Sequence, residues 1–271
     1  MNKEIEKMNF SEIVWILNEP NRPSGWKNTI REVILNSFIW YKQNPKILEI
    51  GSNTGFSSIE FWTMLPQAQV IWIDINEISI KHAKEKSEKF QLTNVSFRQA
   101  DGQKLPFESE SFDLVFSSNT TSFIKNKNAA VSEYYRVLKK YGILATAPIY
   151  YVTTPPADLV NNVEEAIGTS IDKKTRTDWD ELFETNESKI IYKKAHRYEN
   201  IPLDEMKKYT DYVIDNADLY GSFSAEEINL LKEKLLWYYI LFNENLQYCW
   251  FDVILLMKNY PNREPELYLT N

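Results

Sequence analysis

The feature that most constrains this chain is the run Lys46-Ile47-Leu48-Glu49-Ile50-Gly51-Ser52-Asn53-Thr54-Gly55-Phe56. A short apolar segment ends in glycine, and an amphipathic stretch over 57–65 follows at once, which reads as strand, tight turn and helix. Gly51 lets the chain turn sharply, and Gly55 lets the helix start close to the strand. Backbone groups there can approach a ligand without Cβ interference. The same alternation continues: strand 70–74, helix 78–90, strand 95–99, strand 112–116, helix 129–138 and strand 143–147. Strands and helices alternating at this length predict an α/β fold, a parallel sheet with helices on both faces. In such sheets ligands bind at the carboxyl ends of the strands.

The rest of the chain adds to that core. Apolar spacing predicts one leading helix over 4–15 and another over 26–41, separated by a Pro-rich turn at 19–25. Two further buried strands are expected at 189–194 and 250–257, making seven, with helices 203–217 and 225–245 inserted between them. This divides the chain into a helical cap (1–44), a core (45–200), a helical lid insertion (201–248) and a last core strand with tail (249–271). The insertion carries more aromatics than one core-facing stripe needs, among them Tyr209, Tyr212, Trp237, Tyr238, Tyr239 and Phe242. Such a surplus fits a lid over a small-molecule pocket. A homodimer interface is the other use for it.

Charge and cysteine content narrow the partners. Lys plus Arg number 31 against 38 Asp plus Glu, a net charge of −7, so a nucleic acid gains no long-range attraction. The lone Cys249 forms no intrachain disulfide and no thiolate metal cluster, and no metal site is expected. No segment is long and uncharged enough to span a bilayer, and the start lacks a signal-type apolar run. The cytoplasm is the expected compartment, with no membrane partner.

The glycine spacing does not fit the G-x-G-x-x-G of dinucleotide sites, which excludes a dehydrogenase. Glu49, two positions before Gly51, would oppose a pyrophosphate, whereas a ligand carrying an amino group and a sulfonium would be favoured by it. Asp74, ending the second strand, can accept hydrogen bonds from both ribose hydroxyls, and Ile75 offers an apolar edge to an adenine ring. Asp101 and Gly102, after the third strand, can read an exocyclic amine. Each feature has a plainer use, as a tight turn, a helix cap or an Asp-Gly turn.

In this order, however, they resemble the class I S-adenosylmethionine-dependent methyltransferases. The likeness covers roughly 46–148, including Glu49-Ile50-Gly51-Ser52-Asn53-Thr54-Gly55, Ile73-Asp74-Ile75-Asn76, Ala100-Asp101-Gly102, Phe112-Asp113-Leu114-Val115 and Tyr135-Arg136-Val137-Leu138. It implies a Rossmann-like, mostly parallel seven-stranded sheet with the last strand antiparallel, and S-adenosylmethionine as cofactor. Glu49, Gly51, Asn53 and Gly55 would surround the methionine part, Asp74 the ribose, Asp101 and Gly102 the adenine, and Ser117 the sulfonium region. Asn53 replaces the family's commonest central glycine, and Tyr141 stands where proline or glycine is usual. After strand four, where many relatives carry histidine, 118–123 offers only hydroxyls and an amide.

Methyl transfer from a sulfonium is an in-line displacement, so orienting the acceptor supplies much of the acceleration. Asn119 and Tyr150, just past strands four and five, and His196, after the sixth, are the candidate catalytic residues. His82 falls on a charged helix. The expected acceptor is a small, largely apolar metabolite. A non-catalytic S-adenosylmethionine-binding partner or sensor is the reading from a different class. Aminopropyl transfer is disfavoured because no paired aspartates follow strand four.

Overall fold

The computed structural model describes residues 2–17, 19, 24–51, 56–217, 219 and 222–259. Its centre is a sheet of eight strands: β1 (Lys46–Ile50), β2 (Gln69–Asp74), β3 (Val95–Gln99), β4 (Phe112–Ser117), β5 (Leu138–Thr146), β6 (Ile149–Tyr151), β7 (Ser188–Arg197) and β8 (Cys249–Lys258). The order is β3-β2-β1-β4-β5-β8-β6, with β7 also pairing β8. β1 to β5 run parallel, and β8 runs antiparallel to β5, β6 and β7. β5 faces β8 from Met257 to Ile254, and β6 faces it from Phe251 to Cys249. β6 therefore continues the line of β5 past Pro148, and the expected seven positions with an antiparallel final strand hold.

All six residues of β4 are buried, as a parallel strand covered on both faces requires. One face packs against α3 (Trp26–Asn36) and α4 (Phe56–Met64) around Ile30, Val33, Phe61, Trp72, Phe116 and Val253. The other packs against α6 (Lys127–Val137) and α8 (Arg176–Phe183) around Val115, Tyr134, Trp179, Phe183 and Ile254. α5 (Glu77–Lys89) follows β2, capped by Asn76, whose Oδ1 accepts from the Ile78 nitrogen at 2.8 Å.

A third apolar cluster is wholly helical. It joins α1 (Asn2–Lys7), α2 (Phe10–Ile16), α7 (Ala157–Ile167), α9 (Leu203–Asn216) and α10 (Ala225–Leu246) through Ile5, Ile13, Leu159, Val163, Val213, Leu231, Leu235 and Leu241. The single leading helix read from the sequence is two, because Asn9 starts a new one: its Oδ1 accepts from the Glu12 nitrogen at 3.0 Å and its own nitrogen donates to Glu12 at 2.7 Å. α7 and α8 escaped the sequence reading, and α7 packs with the helical cluster rather than on the sheet. Much of the aromatic surplus packs inside this cluster, with the Phe10 ring edge-on to Tyr238 at 5.7 Å and to Phe242 at 4.9 Å. Among the described residues, no helix is long and apolar enough to cross a membrane.

A buried ionic network locks the late elements together. Asp252 of β8, fully buried, accepts from the Tyr150 hydroxyl at 2.8 Å and from Arg176 Nε at 2.6 Å, while Lys193 Nζ lies 3.4 Å away and also bridges to Asp180. Removing the carboxylate would strand a buried phenol and two cations, a cost tempered by the half-exposed Arg176. Asp252→Ala should lower stability by about 2–4 kcal/mol in urea denaturation. A loss below about 0.5 kcal/mol, the size of a neutral surface change, would show that the network carries no stability.

Candidate cofactor and acceptor site

The carboxyl edge of the parallel strands gathers most of the expected residues. β1 ends at Ile50, and the Gly51 nitrogen donates to the Ile73 carbonyl at 2.8 Å before the chain leaves the sheet. Gly51 has φ +76°, and a Cβ there would run into the Thr120 side chain. Glycine is thus demanded twice, by the turn and by its neighbour. Thr120 belongs to a 3₁₀ turn (Thr120–Phe123) after β4, and the sequence reading did not connect it with Gly51. Asn53 and Gly55 lie outside the described residues.

Glu49 sits one residue before the end of β1, opposite Trp72 on one side and Phe116 on the other. Only 4% of its surface is exposed, and among the described residues its Oε2 has no hydrogen-bond partner. Burial pushes its carboxyl up to about 8, with the Ser57 hydroxyl lowering it and the Asp74 charge adding to the rise. A buried carboxyl without a cation is a poor structural element but a prepared ligand for one.

Asp74 ends β2, with Oδ1 accepting from the Asn76 nitrogen at 2.9 Å. Ile75 beside it is 69% exposed, an apolar edge held in solvent. After β3, Asp101 accepts from the Gln103 nitrogen at 2.8 Å, tightening its own turn. Gly102 is buried under Ile50 and Ile124, where a Cβ would meet Ile124 at 3.2 Å. Five of the expected cofactor residues, Glu49, Gly51, Asp74, Asp101 and Gly102, therefore lie at the ends of β1, β2 and β3, with Ile75 alongside.

Ser117 is fully buried at the end of β4, its hydroxyl 2.9 Å from that of Thr121, which lies 3.4 Å from the Tyr134 hydroxyl. It braces the turn and turns away from solvent. Asn119 Oδ1 accepts from Ser122 at 2.7 Å and from the Ile149 nitrogen at 3.3 Å, joining β4 to β6. The buried Ser118 hydroxyl beside it has no partner among the described residues. Ser118 was not singled out from the sequence, although it lies in the polar run that replaces the usual histidine.

The other two candidates are engaged elsewhere. Tyr150 is 4% exposed, and its hydroxyl donates to Asp252, which together with burial holds it well above an ordinary phenol. His196 Nε2 lies 3.0 Å from Glu32 Oε2, and its ring stacks on Phe251 at 4.9 Å. Glu32, on α3, also accepts from the Tyr192 hydroxyl at 2.8 Å. The structure thus leaves Asn119 beside the turn at Gly51, and ties Tyr150 and His196 into contacts between elements.

A family model described as a methyltransferase domain matches residues 41–200. An uncharacterised Haemophilus influenzae protein is 28% identical over 166 residues, 60% of this chain and 64% of its own. A ubiquinone/menaquinone biosynthesis C-methyltransferase of Pectobacterium carotovorum is 33% identical over 105 residues, 38% of this chain and 42% of its own. The match spans less than two thirds of either relative's length. Among solved structures, the MccD protein is similar at 26% identity and a TM-score of 0.71, over 88% of this chain and 100% of that one.

Two measurements test this geometry. Asp74→Ala should weaken S-adenosylmethionine binding by about 1.5–3 kcal/mol in calorimetric titration, the scale of hydrogen bonds to a charged acceptor. Unchanged constants in a folded variant would remove Asp74 from the site. Glu49 has a folded value of about 8 against 4.5 for the free side chain. Its contribution to stability is therefore present below pH 4.5 and lost as pH rises through 8. Glu49→Gln has no such loss, so its stability relative to the wild type should grow by about 4 kcal/mol between pH 5 and pH 9. A gap independent of pH would show that this carboxyl is not held neutral.

Proposed function

The chain belongs to the class I S-adenosylmethionine-dependent methyltransferases, and from that premise we propose that it transfers a methyl group to a small, largely apolar metabolite. The observation that carries the cofactor half is Glu49: a buried carboxyl whose Oε2 has no partner among the described residues, close to Gly51 and one strand from Asp74. Those residues fit a ligand with an ammonium group at one end and ribose hydroxyls in its middle. Asp74 would take the ribose hydroxyls, Ile75 and Gly102 would flank the adenine, and Glu49 would face the amino group. When bound, S-adenosylmethionine supplies an activated methyl on a sulfonium, which departs as a neutral thioether when an acceptor atom attacks in line.

What the chain contributes to transfer, on this reading, is position and dryness. The Asn119 amide nitrogen, held from its oxygen side by Ser122 and Ile149, is the group that would orient an acceptor. The helices α2, α7, α9 and α10 would roof the pocket and exclude water. An apolar acceptor agrees with this roof and with the quinone-pathway role in the name of the Pectobacterium relative. The net charge of −7 disfavours nucleic acid. The cytoplasm is the compartment we assign, on the sequence features already given.

Excising the 201–248 segment would be a poor test, because α9 and α10 share one core with α1, α2 and α7. Methyl-labelled S-adenosylmethionine offered with a metabolite extract should label an organic-soluble small molecule. Equal labelling of a purified RNA or DNA pool would overturn the acceptor class. Cofactor binding with no labelling of any fraction would favour the non-catalytic sensor reading.

A further inference from the structure

The amino edge of the sheet, opposite the cofactor residues, carries a set of exposed rings. α3 stops at Asn36, and Phe38 then takes a left-handed conformation, φ +54°, with 61% of its surface in solvent. That position after a helix favours glycine, because a Cβ is strained there. Tyr141, in β5, repeats the pattern with φ +61°, and it too is exposed. The 3₁₀ turn Ile39–Tyr41 adds Trp40 and Tyr41, stacked at 3.8 Å, the second 72% exposed. Two of the four rings thus stand in solvent on backbone that glycine would occupy at lower cost, which the needs of the fold do not explain. The same edge is basic. Lys42 Nζ and Lys139 Nζ each lie 2.8 Å from Asp113, which also accepts from the Lys46 nitrogen at 3.0 Å. One buried acid therefore gathers both aromatic segments. Lys46 and Lys140 are exposed, and Lys140 Nζ lies over the Tyr141 ring, 5.1 Å from its centre. The exposed acids Glu108 and Glu110 belong to the loop before β4, which Arg136 of α6 holds on the sheet face away from α3.

Aromatic rings beside long cationic side chains suit the headgroup layer of a bilayer, where Trp and Tyr settle at the boundary and lysines reach anionic phosphates. We propose that this edge docks the protein on an anionic lipid bilayer. Among the described residues no helix is long and apolar enough to cross a membrane, but docking on its surface needs none. The net charge of −7 turns the rest of the molecule away from such a surface, so the basic edge is the one presented to it. A second copy of the chain is the poorer occupant. A two-fold contact centred here would set Lys42, Lys46, Lys139 and Lys140 against their own counterparts. β1 runs from Lys46 at this edge to Ile50 at the other, so the docked protein keeps its cofactor residues open to the solution. In sequence the rings fall in two distant segments that meet only through Asp113, which is why the sequence alone points to no membrane partner.

Co-sedimentation of the full chain with vesicles of phosphatidylglycerol and phosphatidylcholine in equal parts, and with vesicles of phosphatidylcholine alone, tests this. The wild type should sediment with the mixed vesicles and not with the neutral ones, and should be released as salt rises from roughly 0.05 to 0.5 M. Lys46→Glu combined with Lys140→Glu should weaken the binding by about tenfold or more. Phe38→Gly combined with Tyr141→Gly should weaken it on a similar scale. This second variant should also keep a urea midpoint at or above that of the wild type, since glycine relieves both left-handed positions. Rings needed only for the fold would lower the midpoint instead, and that result would overturn the proposal. So would a wild type that stays in solution beside the mixed vesicles at low salt. Dimerisation with rising concentration and no vesicle binding would assign the edge to a second copy. S-adenosylmethionine affinity should be the same in both variants, because neither touches the cofactor edge.

Discussion

A parallel sheet is stable only when both faces are covered, and in this molecule that constraint decides where chemistry is possible. β4 is buried along its whole length, and β1 from its second residue on. Polar side chains on these strands are therefore tolerated only near their ends, or as paired groups. Glu49 stands apart from that rule. It is as buried as its apolar neighbours, and its Oε2 has no hydrogen-bond partner among the described residues.

The strands were legible because parallel strands read as near-continuous apolar runs. Glu49, Asp74 and Asp101 were legible because each follows such a run. The acceptor side was much less so. Tyr150 and Asp252 are 102 residues apart, and His196 and Glu32 164, so nothing local announced that either side chain was already engaged. α7 is absent from the sequence reading although its buried Leu159, Val160, Val163 and Ala166 have helical spacing; Pro155 and Pro156, residues that usually interrupt regular structure, stand directly before it. Pro156 in fact stands just before the helix, where a residue without an N–H costs least. β6 was invisible as a strand because it is three residues long and exists only as an extension of β5 along β8.

Two kinds of polar contact hold the elements that follow β4. Asp252, Tyr150, Arg176 and Lys193 satisfy one another and hold β6, β7, β8 and α8 in register. The turn after β4 is held more lightly, by hydroxyls of Ser117, Thr121 and Tyr134 and by the Asn119 amide. A reacting group needs a rigid surround and some unused hydrogen-bonding capacity, and here the two come from different parts of the chain.

The helical cluster also fixes an order in time. Lys234 of α10 donates to the carbonyls of Ile5 and Glu6, and the Tyr238 hydroxyl to that of Met8, so the first helices are held by one of the last. β8, made later still, must enter between β5 and β7, both synthesised before it. A ribosome delivers this chain from its amino end, which means β1 to β4 can assemble while α1 and α2 still wait for a surface to rest on. The helical cluster and the slot between β5 and β7 are closed only by α10 and β8, so the apolar side chains of α1 and α2 wait exposed until those elements emerge.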